Sequence, residues 1–270
     1  MSHVRLIQVP YYLGREHADL SRGPGMLAEA IGDESVVVEP PRPSVLPNEV
    51  NESFAVIRAV ATTVRETVEQ GRFPLVLAVN CFTSLGTVAG VGRDVGVVWF
   101  DAHGDFNTPD TTPTGFLDGM GFAMLLGDGW EELRRTVDGL RPVPAEHALL
   151  VGARDLDPAE QDRVAAKPLR QADAKSLDEA LEELSREVDA VYVHVDLDVI
   201  DPSVARANAL SVAGGLDAGE LEQALTAIAS RFEIAAAAIT AYDPSVDPEG
   251  RVPPIAARLA PHLVSERVAR

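Results

Sequence analysis

Residues 95–105 read VGVVWFDAHGD: an apolar run, then Asp101, His103 and Asp105 at every second position. A short run with no polar residue inside it fits a strand buried on both faces. VYVHV, over 191–195, is a second run, apolar apart from His194, followed by Asp196-Leu-Asp198-Val-Ile-Asp201-Pro202. With these two, the runs that read as buried strands are 4–9, 36–38, 73–79, 95–100, 148–151, 190–195 and 234–239. Amphipathic stretches between many of them, such as 53–70, 176–188 and 217–232, read as helices. Strands alternating with helices require crossover connections, so the expected fold is α/β, a mostly parallel sheet with helices on both faces. The Pro-rich segment 40–47 reads as a surface loop. With no internal repeat and no second set of strands, residues 1–270 are expected to form one domain.

Parallel sheets bind ligands outside the carboxyl ends of their strands, which is where both polar clusters fall. If the strand conformation persists, residues 101, 103 and 105 point to one face, and so do 196 and 198. Asp201-Pro202 then reads as the turn that ends the second strand. Hard carboxylates joined by an imidazole suit a divalent cation. A lone Asp at a strand end more often caps a turn or helix. Two strands that each supply alternating carboxylates are another matter, because so many like charges cannot all stay ionised without a compensating cation.

Composition narrows the partners. The formal net charge of −19 argues against nucleic acid, whose binding relies on Lys and Arg meeting phosphates. No stretch approaches the roughly 18 apolar residues that span a bilayer, so no membrane is expected. Cys81 has no second cysteine to pair with, and MSHVRLIQVP does not resemble a signal peptide. A reducing compartment, the cytoplasm, is expected.

In order and separation, DAHGD and HVDLDVIDP resemble the signatures of the arginase-like ureohydrolase family of arginases, agmatinases and formimidoylglutamases. Arg22-Gly23-Pro24, the segment VGARDLDPAE over 151–160, and Gly214-Gly215-Leu216 with Glu220 resemble further family segments. The resemblance covers most of the chain. It implies a three-layer α/β/α fold, a divalent cofactor (Mn²⁺, one or two ions per chain), and a hydroxide bridging the ions that attacks a guanidinium or amidine carbon. By the same resemblance Asp101 and Asp196 would bridge the ions, His103 and Asp198 would complete one site, and Asp105 would belong to the other. A homo-oligomer acting on a small-molecule substrate is also implied.

The sequence departs from the family pattern at three places. The remaining metal ligand, a histidine after Gly-Gly-Asp, aligns in LAVNCFTSLGT (77–87) with Cys81, beside Asn80 as a neutral ligand or supporting donor. A thiolate suits softer ions than Mn²⁺, so this half of the site is expected to be weakened or altered. His194, two residues before Asp196, reads equally as a buried hydrogen-bonded histidine and as a neighbour or substitute of the ligands. The proton-shuttling histidine aligns with Asp118, which can carry a proton if a crowded acidic pocket raises its pKa. The carboxylate that grips the guanidinium aligns with Ala241, with Asp243 as a displaced replacement. Asn107, Thr114 and Asp157 align with positions that hold the amino-acid end of the substrate, although Asp157 can equally cap the next helix. Arginine and agmatine are therefore expected to be poor substrates, because a buried guanidinium needs a paired anion.

The leading reading is a metal-dependent hydrolase of a non-peptide C–N bond in a linear amidine, guanidine or related substrate. In that reading Asp118, His103 and Asp198 act in catalysis. A weakly catalytic family member serving as a binding or regulatory subunit is the alternative. Metal-dependent phosphoester hydrolysis ranks last, since the motif segments offer only Arg154 as a positive group.

Overall fold

A computed structural model describes residues 3–39 and 48–264. Its strands are β1 (Val4–Val9), β2 (Ser35–Val37), β3 (Phe73–Ala78), β4 (Gly96–Phe100), β5 (Ala148–Val151), β6 (Arg170–Ala172), β7 (Ala190–Asp196) and β8 (Glu233–Thr240). They form one sheet in the order β2-β1-β3-β8-β7-β4-β5-β6, with every pairing parallel. The helices in chain order are α1 (Gly23–Ile31), α2 (Glu49–Glu69), α3 (Ser84–Val91), α4 (Gly121–Leu125), α5 (Glu131–Arg134), α6 (Pro158–Ala166), α7 (Leu177–Leu184), α8 (Ala218–Arg231) and α9 (Val252–Leu263). Helices α1, α7, α8 and α9 pack together over one face, and α2, α3 and α4 over the other.

The expected α/β fold is therefore present, with two cores divided by strand alternation. Leu75 and Leu77, Val98 and Phe100, and Val193 and Val195 face the first layer. Val76 and Ala78, Val97 and Trp99, and Tyr192 face the second. Burial on both faces is why these strands read as continuous apolar runs.

Helix α8 starts where the sequence placed it, capped by Asp217 and Glu220 in a reciprocal capping box. Helix α2 starts earlier than expected, at Glu49, because the Asn48 side chain accepts the Asn51 amide. Strand β6 is an addition: Arg170-Gln-Ala172 is short, polar and at the sheet edge, so no apolar run marks it. The Pro-rich segment 40–47 lies outside the described residues. Among the described residues, no helix is long and apolar enough to cross a membrane.

Candidate metal centre

The four central strands β3, β8, β7 and β4 end side by side. Register pairs Asp196 with Thr240, and Thr240 with Ala78, which brings the strand ends level. Cys81 follows β3, Thr240 closes β8, Asp196 closes β7 and Asp101 follows β4. They bring together two overlapping groups of candidate ligands, Cys81–Asp101–Asp196 and Asp101–His103–Asp198. Within each group, one ligand atom per residue lies within 4.8 Å of the others, and Asp101 belongs to both. His103 Nδ1 sits 3.3 Å from Asp101 Oδ1 and 3.3 Å from Asp198 Oδ2. Cys81 Sγ donates to Asp196 Oδ2 at 3.0 Å.

The convergence is not made by strand alternation, which corrects the expectation above. Strand β4 ends at Phe100, and the His103 amide folds back onto Asp101 Oδ1 at 2.7 Å. At Asp105 the backbone is left-handed, with φ 47°. After β7, a tight turn over Leu197–Val199 lets the Asp198 amide donate to Asp196 Oδ1 at 2.8 Å. A continuing strand would carry each second residue about 6.6 Å onward, whereas these turns wrap the next residue around the previous carboxylate. Nor do Asp201 and Pro202 end the strand, which stops at Asp196. Asp201 instead accepts from Ser203 and from the Gly214 and Gly215 amides, which together hold its carboxyl down to about 2.

Glycine matters at position 104. A Cβ there would stand 2.8 Å from the Glu160 carboxyl carbon. Glu160 accepts the Phe106 amide at 2.7 Å and the Asp157 amide at 3.2 Å, so the start of α6 clamps the DAHGD loop.

Burial and mutual repulsion set the electrostatics. Burial, then Asp198, pushes Asp101 up to about 6 despite hydrogen bonds from His103. Burial and neighbouring carboxylates raise Asp105 and Asp196 well above the ordinary range. The Cys81 thiol is raised by burial and by Asp196. Burial would depress His103, yet hydrogen bonds to Asp101 and Asp198 push it up to about 12. Asp198, although buried, is held below its ordinary value by His103 and by the Ala102 amide. The pocket thus takes up protons where it lacks other positive charge.

Asp105 lies outside both groups, and its Oδ2 is buried with no hydrogen-bond partner in the structure. An orphaned carboxylate oxygen beside shared acidic groups fits a divalent cation, whose charge would replace the retained protons. The oxygen and imidazole donors fit Mn²⁺, while the Cys81 sulfur fits a softer ion better.

Asp118 is buried, and burial pushes it up to about 7. Its Oδ2 accepts from Asn80 Nδ2 at 2.5 Å and its Oδ1 from the Phe82 amide at 3.1 Å. Asn80 also accepts the Leu13 amide, which makes it a brace between loops. Asn107 donates to Asp157 Oδ2 at 2.9 Å, and Asp157 caps α6, as one of its two readings expected. Thr114 is exposed, and its hydroxyl accepts the Phe116 amide. His194 is the buried, hydrogen-bonded histidine, paired with Tyr192 Oη and Thr240 Oγ1; burial pushes it down to about 3. Asp243 is occupied in capping the turn Pro244–Val246. The Arg154 guanidinium is spent on the carbonyls of Gly152, Asp198, Val212 and Ala213, which removes the support for a phosphoester reading.

Three residues were not singled out from sequence. Trp99 Nε1 donates to Asp101 Oδ2 at 3.0 Å. Thr240 Oγ1 lies 3.2 Å from Cys81 Sγ. Asn208 Nδ2 donates to Asp198 Oδ2 and to the carbonyl of Ala241, whose φ is 64°. Trp99 was legible in principle, lying two positions before Asp101 on the same strand face. Asn208 and Thr240 carry no local signal.

A family model described as "Arginase family" matches residues 17–268. The arginase of Bacillus caldovelox is 33% identical over 222 residues, covering 77% of this chain and 74% of that protein. Its native structure superposes with a TM-score of 0.88 at 27% identity, over the whole of both chains. The formimidoylglutamase of Bacillus subtilis shares the fold, with a TM-score of 0.75 at 21% identity, over 99% of this chain and 89% of that one.

Proposed function

The chain belongs to the arginase family, and on that premise we propose that it hydrolyses a C–N bond of a small linear amidine, guanidine or related substrate. The observation that carries this reading is the buried Asp101 carboxylate shared by two ligand groups. A pair of divalent ions, Mn²⁺ in this proposal, would supply Lewis acidity and lower the pKa of a water held there. Asp101, His103 and Asp198 would hold one ion. Asp101, Asp196, Asp105 and Cys81 would hold the other. We also read the protein as a cytoplasmic homo-oligomer.

The other residues bind, orient and carry protons. Trp99 and the His103 amide fix the Asp101 carboxylate in two directions. Asp118, raised to about 7, can hold or release a proton at a carboxyl oxygen near neutral pH. The Asn107–Asp157 pair, with Thr114 on the loop beyond it, offers polar groups to the far end of a substrate. Ala241 and the Asn208 amide leave a neutral wall where a guanidinium would need an anion.

The test is to strip the full-length protein of metal, reload it with Mn²⁺, and offer guanidines, amidines and hydroxyguanidines while measuring urea and ammonia. Metal-dependent release from at least one class is expected. Arginine and agmatine should be turned over poorly; a rate with arginine in the ordinary enzyme range, about 1–1000 per second, would overturn the neutral-wall reading. The second reading, a weakly catalytic binding or regulatory subunit, rests on Asp118, whose hydrogen bonds from Asn80 and Phe82 would serve a purely structural brace. Asp118→Asn keeps the side-chain shape and removes the proton carrier, with the loss of one of the two accepted hydrogen bonds. Unchanged turnover in that variant would exclude Asp118 from catalysis.

A further inference from the structure

Behind Cys81 runs a buried chain of polar groups that the hydrolytic reading does not use. Tyr192 Oη lies 2.9 Å from His194 Nδ1, His194 Nε2 lies 3.2 Å from Thr240 Oγ1, and Thr240 Oγ1 lies 3.2 Å from Cys81 Sγ. His194, Thr240 and Tyr192 are fully buried. The His194 ring stacks on Trp99 with centroids 3.6 Å apart and planes 12° apart. Trp99 stacks in turn on Phe122 at 4.9 Å. The imidazole plane is thus fixed by packing and both of its nitrogens are engaged. So polar a chain in a dry core needs a reason, since an apolar replacement would avoid its desolvation.

The direction of the chain supplies one. A cysteine sulfur that serves as a ligand has no proton and can only accept. Thr240, whose hydroxyl also reaches the Val195 carbonyl at 3.4 Å, must then turn its proton to the sulfur, His194 Nε2–H must donate to Thr240, and Tyr192 must donate to His194 Nδ1. Each group has the donor and acceptor this order demands. The cross-strand pairing of Asp196 with Thr240 places the hydroxyl beside the same sulfur that contacts Asp196.

We propose that Thr240, oriented by His194 and Tyr192, is a positioning residue that holds the Cys81 sulfur in place as a ligand of the Cys81–Asp101–Asp196 group. This rests on the metal-centre reading above. Groups that orient a ligand from outside typically contribute 10–100-fold in metal affinity. The threonine hydroxyl takes that part for sulfur, as a carbonyl or carboxylate does for a histidine ligand.

Cobalt(II) is the probe, because a thiolate bound to it gives a charge-transfer absorption in the near ultraviolet that oxygen and imidazole ligands do not. Metal-stripped full-length protein is titrated with Co²⁺ by absorbance and calorimetry. The wild type should show the band, and Cys81→Ser should lose it while still binding Co²⁺ at the His103 group. Thr240→Val should weaken the band-linked site about 10–100-fold and shift the band, while Thr240→Ser should restore both. Tyr192→Phe, at the far end of the chain, should shift the band in the same direction by less, and it serves if Thr240→Val does not fold. An unchanged band and affinity in both Thr240→Val and Tyr192→Phe would overturn the proposal. So would Co²⁺ binding to the wild type without a thiolate band, which would leave the metal centre standing. Failure of the wild type to bind Co²⁺ at all would overturn both.

Discussion

The two halves of the acidic centre share Asp101 and solve one charge problem in opposite ways. On the His103 side, an imidazole about one quarter exposed sits between two carboxylates, and its raised pKa makes it a resident cation. On the Cys81 side the described residues place no cationic side chain in the ligand group. There the thiol donates to Asp196, and burial drives both groups toward their neutral, protonated forms. One half balances charge by pairing and the other by avoiding it. A divalent ion entering the first must displace one proton from an imidazole. An ion entering the second must displace protons from a thiol and a carboxyl, in a drier setting and with a softer donor. The halves should therefore fill unequally.

Asp101→Ala is the largest expected break in that comparison, because it removes a ligand from both halves at once. Metal content after dialysis should fall for both ions, and turnover should drop more than about a hundredfold, beyond what outer groups contribute. Retained metal would mean that the two groups do not share a ligand. Trp99→Phe removes only the donor to Asp101 Oδ2 and keeps the stack on His194 and Phe122. It should weaken both ions together by about 10–100-fold, as calorimetry would show. An effect on one ion alone would place Asp101 in one half only.

Cys81→His sharpens the contrast from the other side. A nitrogen donor suits Mn²⁺ better than sulfur, so occupancy of the Cys81 half should rise, by about tenfold in affinity or less. The limit is space: the backbone at Cys81 and Phe82 already lies 3.1–3.3 Å from where a Cβ on Gly121 would stand. If wild-type protein already keeps two Mn²⁺ per chain after the same dialysis, Cys81 does not weaken its half.

The sequence made one part of this centre readable and hid another. VGVVWF and VYVHV were legible because burial on both faces keeps the runs almost wholly apolar, with His194 the one polar exception beside Tyr192, and the ligands follow those runs directly. Their side-chain directions were not legible. The backbone turns at Asp101 and Asp196 depend on amides that fold back, and on Glu160, more than fifty residues away, clamping Gly104. Thr240 and Asn208 were invisible for the same reason. A threonine closing a run of alanines gains its meaning only when the sheet order inserts β8 between β3 and β7 and sets it against Cys81. Strand β6 offered neither length nor apolar character, so only its neighbour β5 defines it.

The smallest expected effect is a change of sign with pH. In metal-free protein Asp101 is raised to about 6 and Asp118 to about 7, and Asp105 and Asp196 are raised as well. Against ordinary values near 4, the native state binds more protons than the unfolded chain between about pH 4 and 7, so its stability falls as pH rises through that window. His103, raised to about 12, acts in the same direction above its ordinary value, since its contribution is fully present at low pH and is lost on the way up. His194 opposes them: pushed down to about 3, it makes the native state bind one proton fewer up to about pH 6.5. Four raised carboxyls outweigh one histidine, so the stripped protein should melt at lower temperature at pH 7.5 than at pH 5, by about 2–4 °C for each kcal/mol lost. Metal ligands must be deprotonated, so Mn²⁺ binds better as pH rises, and the loaded protein should shift the other way. Melting curves of stripped and loaded protein across this range test the difference. If both rise together, cations do not replace the protons that the empty-handed carboxylates hold.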